Sequence, residues 1–293
     1  MRRRAFIFVL LGLVALGGCS EGVLDPKGPI AEAERQILFN SLGIMLAIVI
    51  PTILATLGVA FWFRSSNRRA RYRPDFSYSG RLEMIVWAIP AMTVLLVGGV
   101  AWMGSHELDP RKPIASDVAP LRVQVVSLDW KWLFIYPDHG IATVNQLTVP
   151  VGTPVSFELT SSGVMSSFFV PQLGSQIYTM AGMVTRLHLQ ADHEGAYPGL
   201  SANYSGDGFA DMRFAVDAVP ASEFERWVHA VSRGTGPMLD AQIYADLARP
   251  SQAVASFTYR AVATDLFNDI VNAGMHSHHV SAPRQTPSQR AEK

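Results

Sequence analysis

Phe39 to Phe63 reads FNSLGIMLAIVIPTILATLGVAFWF, an almost unbroken apolar run, and Met84 to Met103, MIVWAIPAMTVLLVGGVAWM, is a second. About 20 apolar residues rising 1.5 Å each cross a hydrocarbon core about 30 Å thick. Two spanning helices are therefore expected, over 39–63 and 83–104. Pro51 and Pro90 fall inside these runs. They do not argue against helices, because in a membrane the carbonyls that proline frees are satisfied by local adjustment and by neighbouring helices.

The segment between the runs, 64–82, carries Arg64, Arg68, Arg69, Arg71, Arg73 and Arg81 against a lone Asp75. By the positive-inside rule this short loop is cytoplasmic and the flanks of both helices are external. With a formal net charge of zero and its basic cluster confined between two spans, the chain offers nothing that points to a nucleic-acid partner.

The N-terminus points the same way. Arg2 to Arg4, an apolar stretch from Ala5 to Leu16, and the run Leu16, Gly17, Gly18, Cys19 form the pattern of a bacterial lipoprotein signal. Residues 1–18 are then a signal peptide and Cys19 the lipidated N-terminus, with 19–38 external. A lipid anchor on the outer face of the bacterial cytoplasmic (inner) membrane follows; an ordinary signal peptide with a stray cysteine is the plainer alternative. Cys19 is also the only cysteine, so any copper, zinc or iron–sulfur site built on thiolate is excluded from the remainder.

From about Pro113 the pattern changes. Arg122 to Leu128 and Val184 to Gln190 alternate apolar and polar residues, and Val144 to Val149 and Val155 to Thr160 read as further strands, with Pro and Gly at the joins. Short strands in this number predict a sandwich or barrel over 113–218. Beyond Pro220 the pattern turns helical, over 219–275. Ser222 and Glu225 predict a capping box before Phe224, Trp227, Val228 and Val231, and Asp240 predicts a cap for a shorter helix through Leu247. The last stretch, 276–293, becomes rich in Pro, Gln, Ser and charge, and is expected to be disordered.

Two blocks carry a resemblance. DWKWLFIYP over Asp129 to Pro137, and SSFFVPQLGSQIY over Ser166 to Tyr178, are similar to subunit II of the haem-copper terminal oxidases, in particular its ubiquinol oxidase (cytochrome bo type) branch. The likeness extends to Met180–Met183 and Gly199–Met212, and takes in both apolar runs. It implies a two-helix transmembrane hairpin followed by an all-β cupredoxin-like Greek-key sandwich, with a short helical C-terminal segment.

The cytochrome c branch of that family holds a dinuclear copper centre (CuA) on two loops, a His before Ser-Phe/Trp and a Cys-x-Glu-x-Cys-x-x-x-His-x-x-Met run. In this chain the matching positions are Ser166 for the first His, Ser201 and Ser205 for the cysteines, Asn203 for the Glu, Phe209 for the second His, and Met212. Serine hydroxyls are hard, poor bridges for soft copper, and phenylalanine offers no lone pair. The resemblance thus implies a degenerate copper site with no metal in this chain, Met212 being left as an apolar core residue. Haems and copper are expected in subunit I of the complex.

Other residues admit two readings. Trp130 and Trp132 mark electron entry in the cytochrome c branch; with no copper behind them they are expected to serve core and interface packing. Met165, Met180 and Met183 resemble a soft copper-handling cluster but are expected to fill the sandwich interior or face a neighbour. His276, His278 and His279 form a tail cluster with no fixed carboxylate or thiol partner. Phe224, Trp227, Phe257 and Tyr259 are expected to be surface anchors of the C-terminal segment. Glu83 stands at the cytoplasmic start of the second span; the resemblance implies the mouth of a K-type proton channel, the alternative being an interfacial charge that sets helix depth.

The reading is a non-catalytic subunit II of a proton-pumping ubiquinol oxidase, reducing dioxygen to water in the aerobic respiratory chain. Its partners would be subunit I, further small membrane subunits and membrane lipid. The competing classes are a cytochrome c oxidase subunit II, opposed by the missing ligands; a membrane-tethered cupredoxin-like copper-binding lipoprotein, opposed by the lack of a copper-binding cysteine; and a structural envelope protein.

Overall fold

The computed structural model describes residues 22–71 and 74–281. The signal segment, Cys19, Arg73 and the chain beyond 281 lie outside the described residues.

Helices α1 (Pro29–Trp62) and α2 (Gly80–Glu107) are both long and apolar enough to cross a membrane, and no residue of their apolar windows is buried. That much uncovered Leu, Ile, Val and Phe has no stable home in water. Helix α1 begins well before Phe39 because Pro29 presets the first turn and Glu32 and Ala33 are good helix formers; hydropathy reports only the apolar portion. Pro51 and Pro90 sit within the helices, and the hydroxyls of Thr52 and Thr93 donate to the Ile48 and Ile89 carbonyls at 2.8 and 2.7 Å. Where α1 meets α2, Gly104 is pressed against Ile37: a Cβ there would lie 2.6 Å from its Cδ1.

The second unit is a β-sandwich of cupredoxin type. Its strands are β1 (Leu121–Leu128), β2 (Lys131–Tyr136), β3 (Ile141–Val144), β4 (Gln146–Pro150), β5 (Val155–Ser161), β6 (Ser166–Val170), β7 (Gly174–Thr179), β8 (Thr185–Leu189), β9 (Gly195–Ser201), β10 (Arg213–Val219), β11 (Met238–Leu239), β12 (Phe257–Tyr259) and β13 (Ala261–Val262). One sheet runs β12-β3-β2-β1-β5-β8 and the other β4-β10-β9-β6-β7, with parallel pairs β1/β5 and β4/β10 where the chain crosses between them. The strands predicted from alternation are present. The run 144–149 is broken at Asn145, whose φ of 56° turns the chain from β3 into β4 and hands it from one sheet to the other.

Strand β2 is buried along its whole length. Trp132, Phe134 and Tyr136 face the core between the sheets, while Leu133 and Ile135 face a second core with Leu239, Tyr259, Leu266, Phe267 and Ile270. That second core identifies what the C-terminal segment does: helices α3 (Ala221–Ser232), α4 (Ala241–Leu247) and α5 (Leu266–Ser281) follow β10, β12 joins the first sheet as an edge strand beside β3, and α4, α5 and the β11/β13 pair cover the outer face of that sheet.

Three expectations are corrected here. The capping box does not form: β10 runs into Pro220, whose fixed φ starts α3 at once, so Ser222 and Glu225 lie inside the helix. Phe224 and Tyr259 are buried core residues rather than surface anchors. The backbone is helical through Ser281, past the start of the anticipated disorder at 276, because Leu266, Phe267 and Ile270 anchor the first turns and propagation then adds one bond per residue. The Asp240 cap forms as predicted, its carboxylate accepting from the Gln242 and Ile243 amides at 3.0 and 2.9 Å.

Candidate functional site

Strand β6 opens on Ser166, β9 closes on Ser201, and the two pair antiparallel with Phe168 opposite Ser201. The loop 202–208 and a single 3-10 turn, Phe209–Asp211, then return the chain to Met212 at the mouth of β10. The Ser201 amide donates to the Met212 carbonyl at 3.1 Å and the Ala202 amide to the Ser167 carbonyl at 3.0 Å. This pairing brings together side chains from two distant segments.

Met212 lies at their centre, buried at 1% exposure. The hydroxyls of Ser166 and Ser205 donate to its sulfur at 3.9 and 3.8 Å, the long range normal for a weak thioether acceptor. The hydroxyl of Ser201, also buried, donates to the Asn203 backbone carbonyl at 3.2 Å, and the Asn203 side-chain amide donates to the Met165 carbonyl at 3.2 Å. Phe209 is half-buried and packs edge-on to Tyr204 at 5.6 Å. The matched positions thus form one cluster, with Phe209 on its outer side.

Beneath Ser166 lies a chain that the sequence pattern did not reveal. Thr179 donates to the Ser166 carbonyl at 3.2 Å, which commits its single proton, so the Ser127 hydroxyl 2.7 Å away is the donor to Thr179. Trp130, at φ 65°, covers the loop, its indole N–H donating to the Ser205 carbonyl at 3.0 Å. A Cβ on Gly208 would lie 2.4 Å from this indole, so glycine is what allows the ring to lie flat on the backbone. Trp132 is buried against Phe168 and Phe214 at 5.4 and 5.6 Å. Both tryptophans pack as expected.

The donor set does not fit a dinuclear copper centre. It offers one soft atom, the Met212 sulfur, already engaged by two hydroxyls, with Ser166, Ser201 and Ser205 as hard neutral oxygens and a hydrocarbon ring at Phe209. Among the described residues no group of three or more His, Cys, Asp or Glu is placed to hold a metal ion.

Two further residues are placed by the fold. Glu83 lies in the first turn of α2, on the side of the basic loop, exposed, with its amide donating to the Ser79 carbonyl at 3.0 Å. Met165 and Met183 are exposed at 41% and 53% rather than filling the interior, because each lies on a turn between strands, not on an inward-facing register position.

The family model for the cytochrome c oxidase subunit II periplasmic domain matches residues 137–219, and the COX aromatic-rich motif matches 233–278, the segment that covers the first sheet. The chain is 45% identical over 267 residues to cytochrome bo(3) ubiquinol oxidase subunit 2 of Pseudomonas aeruginosa, covering 91% of this chain and 80% of that one. It is 47% identical over 271 residues to ubiquinol oxidase subunit 2 of Acetobacter aceti, covering 91% and 88%. With quinol oxidase subunit 2 of Bacillus subtilis the identity is 37% over 248 residues, covering 83% and 77%. With its two apolar helices, its sandwich and its aromatic-rich C-terminal layer, the chain belongs to the ubiquinol oxidase subunit 2 family.

Proposed function

We propose that this chain is a non-catalytic subunit II of a proton-pumping oxidase that takes electrons from ubiquinol and reduces dioxygen to water. The observation that carries the reading is the cluster around Met212: at the positions where the cytochrome c branch holds its electron-accepting copper, three serines and a phenylalanine leave no means of passing electrons. A quinol brings electrons and protons through the membrane and needs no external relay. The haems and copper then belong to subunit I, and this chain contributes two helices, an external cap and a lipid anchor at Cys19 in the inner membrane. The arginine-rich loop faces the cytoplasm and the sandwich the opposite side.

The test is oxygen consumption by the complex purified through this subunit, with a short-chain ubiquinol and with reduced cytochrome c as alternative donors. Turnover with ubiquinol alone supports the reading; turnover with cytochrome c overturns it.

Glu83 is assigned the mouth of a proton channel that continues in subunit I. Its exposure at a helix end beside the basic loop leaves the carboxylate open to water, from which protons can enter. Glu83→Gln is expected to slow turnover about tenfold or more with haem content unchanged, and Glu83→Asp to restore much of it. Unchanged turnover in Glu83→Gln would leave only a helix-positioning role.

A further inference from the structure

Four of the chain's eleven methionines, Met165, Met180, Met183 and Met275, line one cleft of about 470 Å3 with Gly163, Ala181 and Gly182. They come from three places in the chain: the turn before β6, the turn between β7 and β8, and α5. Each is held by its backbone. The Met165 carbonyl accepts from Asn203, the Met180 carbonyl accepts from the Thr160 hydroxyl at 3.2 Å, and the Met183 amide donates to the Met180 carbonyl at 3.3 Å, closing the turn that carries both sulfurs.

Two glycines bring in the fourth. Gly182 has φ +72°, and a Cβ on it would lie 2.7 Å from the Met275 amide nitrogen; a Cβ on Gly274 would lie 2.4 Å from the Gly182 nitrogen. Backbone meets backbone here, and Met275 is set against the Met180–Met183 turn. A methionine ordinarily fills a core, yet Met165, Met183 and Met275 are exposed at 41%, 53% and 43%. No charged side chain lines the cleft.

A set of neutral, polarizable thioethers has little affinity for hard divalent ions and matches a soft monovalent d10 cation. We infer that this cleft is a binding site for copper(I) or silver(I), held by the sulfurs of Met165, Met180, Met183 and Met275. It adjoins the cluster around Met212 through the Asn203–Met165 hydrogen bond but uses none of that cluster's side chains as ligands, and it does not depend on the function proposed above. Thioethers lose no proton on binding, so affinity at this site is expected to be the same at about pH 5 and about pH 8.

The probe is silver nitrate in chloride-free buffer, titrated into the full chain in detergent with its methionine methyl groups labelled with carbon-13. One equivalent is expected to shift the methyl resonances of Met165, Met180, Met183 and Met275 and leave Met238, an exposed methionine elsewhere, unmoved. Met180→Leu with Met275→Leu, which preserves volume, is expected to weaken binding at least tenfold; Met238→Leu is expected to leave it unchanged. The inference is overturned if no equivalent binds, if Met238 shifts alongside the four, if the double variant binds as the parent does, or if affinity falls at the lower pH.

Discussion

The indole N–H of Trp130 donates to the Ser205 carbonyl at 3.0 Å, tying the β1–β2 turn to the loop that closes over Met212. The ring also lies against Gly206 and Gly208, so this residue holds the shape of the 202–208 loop.

Trp130→Ala is therefore expected to cost about 2–3 kcal/mol, toward the low end for losing a large aromatic because the ring is half-buried. Amide exchange across 202–208 should quicken with it. Trp130→Phe keeps most of the packing and loses the hydrogen bond, at about 1 kcal/mol. Thermal denaturation and hydrogen exchange on the detergent-solubilised chain check both; an unaltered loop in Trp130→Ala would remove Trp130 from this role.

Lys131 is 1% exposed, its ammonium donating to the Arg249 carbonyl at 2.8 Å, the Ser251 hydroxyl at 2.6 Å and, more weakly, the Asp129 carbonyl at 3.4 Å. Burial holds its pKa below the ordinary 10.5, against the opposing pull of Asp129. Between that lowered value and 10.5 the unfolded chain carries a proton that the folded chain has shed, so stability rises with pH across this window. Lys131→Met is expected to abolish that rise and, by stranding the Arg249 carbonyl, to cost about 1–3 kcal/mol near neutral pH. Melting temperature against pH reads both effects, and a rise retained in Lys131→Met would assign it to another group.

Gly274→Ala places a methyl 2.4 Å from the Gly182 nitrogen, backbone that has little room to give. Overpacking of this kind costs about 1–3 kcal/mol, and α5 should lift from the β7–β8 turn, exposing the amides near Gly182 to exchange. A stable Gly274→Ala with unchanged exchange would show that the contact is soft.

Much of the architecture was legible because it rests on long-period signals. The two apolar helices follow from uninterrupted hydropathy, the Asp240 cap from one local hydrogen-bonding preference, and β8 and the first half of β1 from alternation against a single core. What failed did so where an element answers to two neighbours. Strand β2 lacks alternation because Leu133 and Ile135 face a second core of residues more than a hundred positions away. Phe224 and Tyr259 read as surface anchors because what buries them lies far off in sequence, Tyr136 of the main core for one and the second core for the other. Asn145 hides a change of sheet inside an apolar run. At the site, the family resemblance singled out residues of two loops that the fold gathers around Met212, but nothing local marked Thr179 and Ser127 beneath it, or a buried lysine, since lysine ordinarily reads as surface.

Whether the loops around Met212 carry electrons is decided by ubiquinol-driven oxygen consumption of the complex bearing Ser166→Ala, Ser201→Ala and Ser205→Ala together. These changes remove every hydroxyl at the matched positions while leaving the fold's apolar packing in place. Turnover is expected within about twofold of the parent at equal haem content, the loss of weak hydroxyl–sulfur contacts being a matter of stability alone. A large loss of turnover in a complex that retains its haem and its assembly would contradict it.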